Sequence, residues 1–292
     1  PPPETANIPE VTPEQRAEND RRFAQEDSIR KAYMATFFVT DSSEKGRLLA
    51  FSAGNHEVIE KFLEDHPDAR ALELLKSLSN KDMIDVTRTI LDDSYNASDA
   101  ILCPRVENEF LSPYKSFFAG LFGTGLPKEE LSVPSNLIRW VQDSITVLRD
   151  PKAWSIPMSP IGVYQARMAD VRSRNIFFVA LARTLGIDAR KDPVTGKIQY
   201  KADGQWVDVD FEASSQVVAP TGTLVLNYEP TAILANPGYY SHFTVSKIEN
   251  GRTKLLSFDE GQVDMGGGVS WANIFKKGTS LDVGDYVLVS GN

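Results

Sequence analysis

The chain of 292 residues has one cysteine, Cys103, and three histidines, His56, His66 and His242. A single thiol excludes an internal disulfide framework and a zinc site built from cysteines. Two imidazoles on one helix face need a spacing of three or four residues. His56 and His66 are ten apart and mark the two ends of one predicted helix, so no metal and no cofactor is expected. A membrane span needs ~18 consecutive apolar residues, and no such run exists. A basic stripe is missing too. Lys and Arg number 31 against 40 Asp and Glu, interspersed to a net charge of −9, which excludes the electrostatic footprint of a nucleic-acid binder. There are no heptads and no 20–50-residue repeats. Met265-Gly-Gly-Gly-Val269 lacks the spacing of a phosphate-cradling loop and reads as a flexible connection. The chain opens on Pro1-Pro2-Pro3 without an initiator Met or an apolar leader, as expected of a mature form whose targeting segment has been removed. It stops just after a strand-like run, which suggests a longer parent chain with further domains.

An apolar content of 41% is enough for a sizeable core, as one large domain or two to three small ones. The expected class is α+β. A helical region at 1–128 precedes a core of one helix and an antiparallel sheet at 129–215. A small antiparallel β-domain at 216–292 follows.

In the first region Thr12-Pro13-Glu14-Gln15 reads as a capping box with proline at the first helical position. It opens a helix to about residue 37 that carries Ile29, Tyr33 and Phe37 at four-residue spacing. Helices are also predicted over 55–65 (Val58, Ile59, Phe62 and Leu63 on one face), 68–78, 79–91, and from Ser112-Pro113 to 122. Ser135 is expected to cap a helix presenting Leu137, Val141, Ile145 and Leu148. Residues 154–160 read as an irregular loop. In the last region Asn250-Gly251 between 242–249 and 252–258 is the strongest hairpin signal, with further strands at 223–228 and 285–289.

The most informative stretch runs from Arg167 to Arg190. Ile176 to Ala182 are apolar almost all round, as in a helix inside a core. Gly186 stands where a left-handed cap belongs. The polar residues before the helix lie at its positive end, where a nucleophile would gain from the macrodipole. Two strands should follow, 197–200 and 205–211, turned by Asp203-Gly204.

The residues 135–211 resemble the core of the transglutaminase-like superfamily, whose fold is related to papain-like cysteine proteases. That pattern runs Arg-x-Gly-Asp-Cys, then an apolar helix ending Leu-x-Arg-x-x-Gly-Ile-Pro-Ala-Arg, then a strand with a histidine, then Trp-x-x-x-Asp. Leu181-Ala-Arg-Thr-Leu-Gly-Ile-Asp-Ala-Arg190, Trp206-Val-Asp-Val-Asp210 and the preceding Leu137-Ile-Arg-Trp-Val-Gln-Asp-Ser-Ile145 match it. The family cysteine falls on Val171, in Arg167-Met-Ala-Asp-Val171, and no histidine lies between 195 and 199. Only Asp210 remains of the triad, as a vestige. Nucleophilic catalysis needs a nucleophile and a base in reach of each other.

The resemblance therefore implies a non-catalytic member, a pseudoenzyme serving as a binding or structural module, with Asp170, Arg172, Arg174, Gln199 and Trp206 around a degenerate peptide- or glycan-binding groove. The flanking regions resemble large secreted bacterial multidomain proteins, which implies export as a periplasmic or cell-surface protein of the kind that includes lipoproteins. The alternative is an active cysteine hydrolase or acyltransferase with a rewired site uniting Cys103 and His242.

Overall fold

The structure, a computed structural model, describes residues 11–35, 42–97, 101–148, 156–212, 220–258 and 268–291. It is α+β: helices and antiparallel sheets around three apolar cores.

The first helix, α1 (Pro13–Ala35), opens with the predicted box. The Gln15 N–H donates to Thr12 Oγ1 (3.2 Å) and the Thr12 N–H to Gln15 Oε1 (3.0 Å). Ile29 and Tyr33 are exposed, so the expected apolar stripe is not packed into a core; Phe37 lies outside the described residues. An unforeseen helix, α2 (Glu44–Ser52), follows, with Ser43 accepting from the Gly46 N–H. With α3 (His56–Asp65) and α4 (Ala69–Lys76) it encloses the first core, where Ile59, Phe62, Leu74 and Leu75 are fully buried.

The helix expected over 79–91 is two, α5 (Asn80–Asp85) and α6 (Arg88–Asn96). Val86 turns extended and buries its side chain. The carbonyls freed by the break would be orphans, but Asn55 Nδ2 donates to those of Met83 (3.1 Å) and Val86 (2.9 Å). A partner some thirty positions away decides this break, so local periodicity could not show it.

The middle core surrounds α11 (Val171–Thr184), where Ile176 to Ala182 are all fully buried. The short α7 (Tyr114–Ala119) contributes Tyr114 and Phe118, so this core reaches back before residue 129. Beyond the one-turn α8 (Lys128–Leu131), α9 (Pro134–Ser144) starts before Ser135 because Pro134 supplies a preset first turn. It ends before Leu148, and β1 (Thr146–Val147) pairs in parallel with β2 (Met168–Ala169). Trp154 lies outside the described residues. The expected loop ends in a helix instead: Ser159 accepts from the Gly162 N–H and Pro160 opens α10 (Pro160–Ala166).

At the end of α11 the Ile187 N–H reaches the Ala182 carbonyl (2.9 Å) and the Gly186 N–H the Arg183 carbonyl (3.0 Å). This is the Schellman arrangement, and the φ of +82° at Gly186 is what it requires. The chain turns back as β3 (Ala189–Lys191), β4 (Ile198–Ala202) and β5 (Gln205–Asp208), an antiparallel sheet on α11. Asp203 and Gly204 both take positive φ, as a two-residue hairpin of type I′ demands.

The third core centres on Tyr239, fully buried. Its hydroxyl accepts from the Val245 N–H (3.1 Å) and donates to the Leu256 carbonyl (2.7 Å), while its ring stacks on Phe275. Around it lie β6 (Thr221–Leu224) paired with β9 (Thr279–Asp282), and a three-stranded sheet in the order β10 (Tyr286–Ser290), β7 (Phe243–Glu249), β8 (Arg252–Leu255). The Asn250-Gly251 hairpin joins β7 to β8 as predicted, whereas β9 was not foreseen. Of the expected flexible connection, 265–267 lie outside the described residues. Val269 at its end is buried and hydrogen-bonds Phe258 and Tyr239.

Candidate functional site

The start of α11 is built by its cap. Asp170 is extended and its Oδ1 accepts from the Ser173 N–H (2.7 Å), satisfying one of the orphan donors of the first turn. Val171 follows as the first helical residue, 47% exposed. Ser173, the nearest hydroxyl, is fully buried. It donates to Asp170 Oδ2 (3.1 Å) and accepts from the Met158 N–H (2.9 Å). A hydroxyl sealed in this way, beside no imidazole, has no route to substrate and no base to activate it.

The other candidates at this end diverge. Arg172 Nε donates to Glu107 Oε1 (2.8 Å), and its Nη2 bonds Asn108 Oδ1. Lys191 joins the same Glu107 (2.6 Å). Arg174 is buried, with its guanidinium 4.0 Å from the Phe211 ring centroid and bonded to Asn175 Oδ1. At the other end of α11 the buried Arg183 donates to the carbonyls of Ala189 (3.0 Å), Cys103 (3.2 Å) and Arg105 (3.1 Å). The segment 103–108 thus lies along α11 as a strap tied at both ends.

Gln199 and Trp206 do come together, through Arg190. The Arg190 guanidinium stacks 4.0 Å from the Trp206 ring centroid and its Nε donates to Gln199 Oε1 (3.0 Å). Gln199 Nε2 donates to Asp208 Oδ1 (2.8 Å), its cross-strand partner, and Asp208 Oδ2 holds Lys197 Nζ (2.6 Å). Lys197 also bonds Asp282, which Lys247 Nζ meets at 3.0 Å. The network therefore continues from the middle sheet into the third core. Burial pulls the Lys197 pKa down, but the hydrogen bonds it donates to Asp208 and Asp282 outweigh it and leave it raised. Burial pushes Asp282 up, and Lys197 and Lys247 outweigh that and leave it lowered. Each group is held in its charged form, so Lys197 is no base near neutral pH. Asp210 Oδ1 accepts from the Glu212 N–H (2.8 Å).

No protein-family model, no curated protein and no solved structure matches this chain. The site is therefore read from its own chemistry.

The entrance offers an aliphatic side chain, the strand an amide and an ammonium. Cys103 lies half-buried on the strap, its carbonyl taken by Arg183. His66 sits in the first core beside Phe62 and Tyr95, and His242 in the third, its Nδ1 accepting from the Gly238 N–H (3.0 Å). No hydrogen bond among the described residues brings an imidazole to Cys103. No cluster of three or more His, Cys, Asp and Glu among the described residues is placed to hold a metal ion.

Sequence reasoning missed Arg190, Asp208, Lys197 and Asp282. Asp208 had a signal: once Asp203-Gly204 is a two-residue turn, Gln199 must face Asp208. Asp282, 85 residues away from Lys197, had none.

Proposed function

We propose that this chain is a non-catalytic transglutaminase-like unit, a binding or structural module of an exported bacterial protein, with a peptide or a glycan as its ligand class. The observation that carries this reading is Val171 at the first position of α11, over a cap whose only hydroxyl is sealed between Asp170 and Met158. The strand that would supply the base carries Gln199, hydrogen-bonded on both sides. What favours a ligand is the half-buried Trp206 under Arg190, because an aromatic plane beside polar groups suits sugar and peptide surfaces. Export rests on the resemblance of the flanking regions noted from the sequence alone.

Two measurements test the reading. Acyl-transfer and amide-hydrolysis assays on casein with an amine donor should show no turnover. Turnover abolished by Cys103→Ser and by His242→Ala would replace the proposal with a rewired cysteine enzyme. A thermal-shift screen with oligosaccharides and peptides should raise the melting temperature with one class, since a ligand bound to the native state stabilises it, and Trp206→Ala should remove the rise. No rise with any class narrows the role to a structural one.

A further inference from the structure

The three-stranded C-terminal sheet has two outer edges, and they differ. On β8 the edge carries Arg252 and Lys254. Charges of this kind are the usual protection against a foreign strand. On β10 the edge reads Tyr-Val-Leu-Val-Ser, with no charge, proline or glycine, and Leu288 and Val289 are 53% and 57% exposed.

The register says which groups are open. The Gly291 N–H donates to the His242 carbonyl and the Ile248 N–H to the Asp285 carbonyl. Odd-numbered residues of this segment therefore bond β7, and the N–H and C=O of Tyr286, Leu288 and Ser290 point outward. None of these outward groups has a partner among the described residues. The side chains of the same three residues share the sheet face of Phe243 and Val245, which belong to the third core. Leu288 lies on the core side of the sheet but remains half exposed, because the core stops short of this edge.

A cleft of about 360 Å³ opens there, walled by Tyr228, Pro237, His242, Phe243, Trp271 and Leu288. No carboxylate or ammonium lines it. His242 accepts at Nδ1 from the Gly238 N–H, which leaves the proton of the neutral ring on Nε2 as a donor. That donor has no partner among the described residues.

We propose that β10 accepts an extended peptide segment of another protein, which adds a fourth strand to this sheet. Its backbone pairs with Tyr286, Leu288 and Ser290, one uncharged apolar side chain enters the cleft behind Leu288, and a backbone carbonyl meets His242 Nε2–H. Main-chain bonds supply the affinity and the cleft the selectivity, as in strand addition generally. A second copy of this chain is the poorer occupant. A stable dimer needs roughly 800 Å² from each partner, more than an edge of five residues offers. The site lies in the third core and does not depend on how the start of α11 is read.

The test uses the full chain and a pool of acetylated heptapeptides alternating threonine with valine, leucine, phenylalanine, tyrosine or tryptophan. Binding should slow hydrogen exchange at the amides of Tyr286, Leu288 and Ser290. N-methylating the bound peptide along one edge, or the substitution Leu288→Lys, should weaken it by about tenfold or more. Leu288→Pro, which removes an outward N–H together with the side chain that walls the cleft, should do the same. Three results would each overturn the proposal. No member of the pool binds below about 1 mM; binding ignores both N-methylation and Leu288→Lys; or the three amides become protected with rising protein concentration alone, alongside a dimer mass in sedimentation.

Discussion

The two ends of α11 are built in opposite ways. The exit is buried and over-determined. Arg183 ties three carbonyls together, Gly186 turns the chain, and Ile187 closes back on Ala182. The entrance is the Asp170 cap on the buried Ser173, with an exposed valine on top and the half-exposed Arg172 reaching Glu107 and Asn108. A helix that positions a nucleophile invests its precision at the entrance, because a misplacement there of about 1 Å can cost a hundredfold in rate. At the exit Arg183 joins Cys103 and Arg105 of the strap, and Ala189 of β3, to the core. The contrast is in how much each end ties down: three backbone carbonyls by one buried guanidinium at the exit, one N–H by the capping carboxylate at the entrance.

The contrast can be broken at its strongest point first. Replacing Arg183 by Met leaves the carbonyls of Ala189, Cys103 and Arg105 without their donor and should cost about 3 kcal/mol or more, read as a fall in the urea midpoint. Asp170→Ala removes the entrance cap and should cost about 1–2 kcal/mol; an equal or larger loss than at Arg183 would reverse the comparison. Gly186→Ala strains a φ of +82° and should cost about 1 kcal/mol in the same titration.

A smaller effect separates the sheet network from the exit clamp by pH. The folded pKa of Asp282 is lowered, so its contribution is present above the unfolded value of about 3.9 and is lost as pH falls through the folded one. The wild-type chain should lose stability on acidification by more than Asp282→Asn does, whereas Arg183→Met should keep the wild-type slope. Smallest of all, Val171→Cys should change stability by no more than about 0.5 kcal/mol. Its thiol should react with iodoacetamide because the position is exposed, yet it should confer no turnover, since Gln199 cannot act as its base. Turnover in Val171→Cys would show that the entrance is still poised.

The features readable along the chain were those with short-range causes. The Thr12 capping box, the Gly186 cap and the two hairpin turns each depend on a few adjacent residues whose allowed φ/ψ settles the matter. The break at Val86 and the strand β9 went unseen because their hydrogen-bond partners lie far away in sequence. At the candidate site, Asp170 was legible as a residue before a helix but not as a cap locked to Ser173. Arg172 was legible as a cation but not as a tie to Glu107 and Asn108, 65 and 64 positions earlier.

By itself the sequence determined the apolar helix, its stop and the hairpin behind it, because periodicity and the steric limits on glycine are local properties. It also determined that the helix start holds a valine and that the strand after it holds no histidine. Only the tertiary structure decided that Ser173 is sealed rather than available, that Lys197 is held between carboxylates of two cores, and that β10 ends its sheet with no further strand paired to it among the described residues. Those outcomes depend on which groups meet across long chain separations, and the desolvation of a polar atom is settled by that meeting alone.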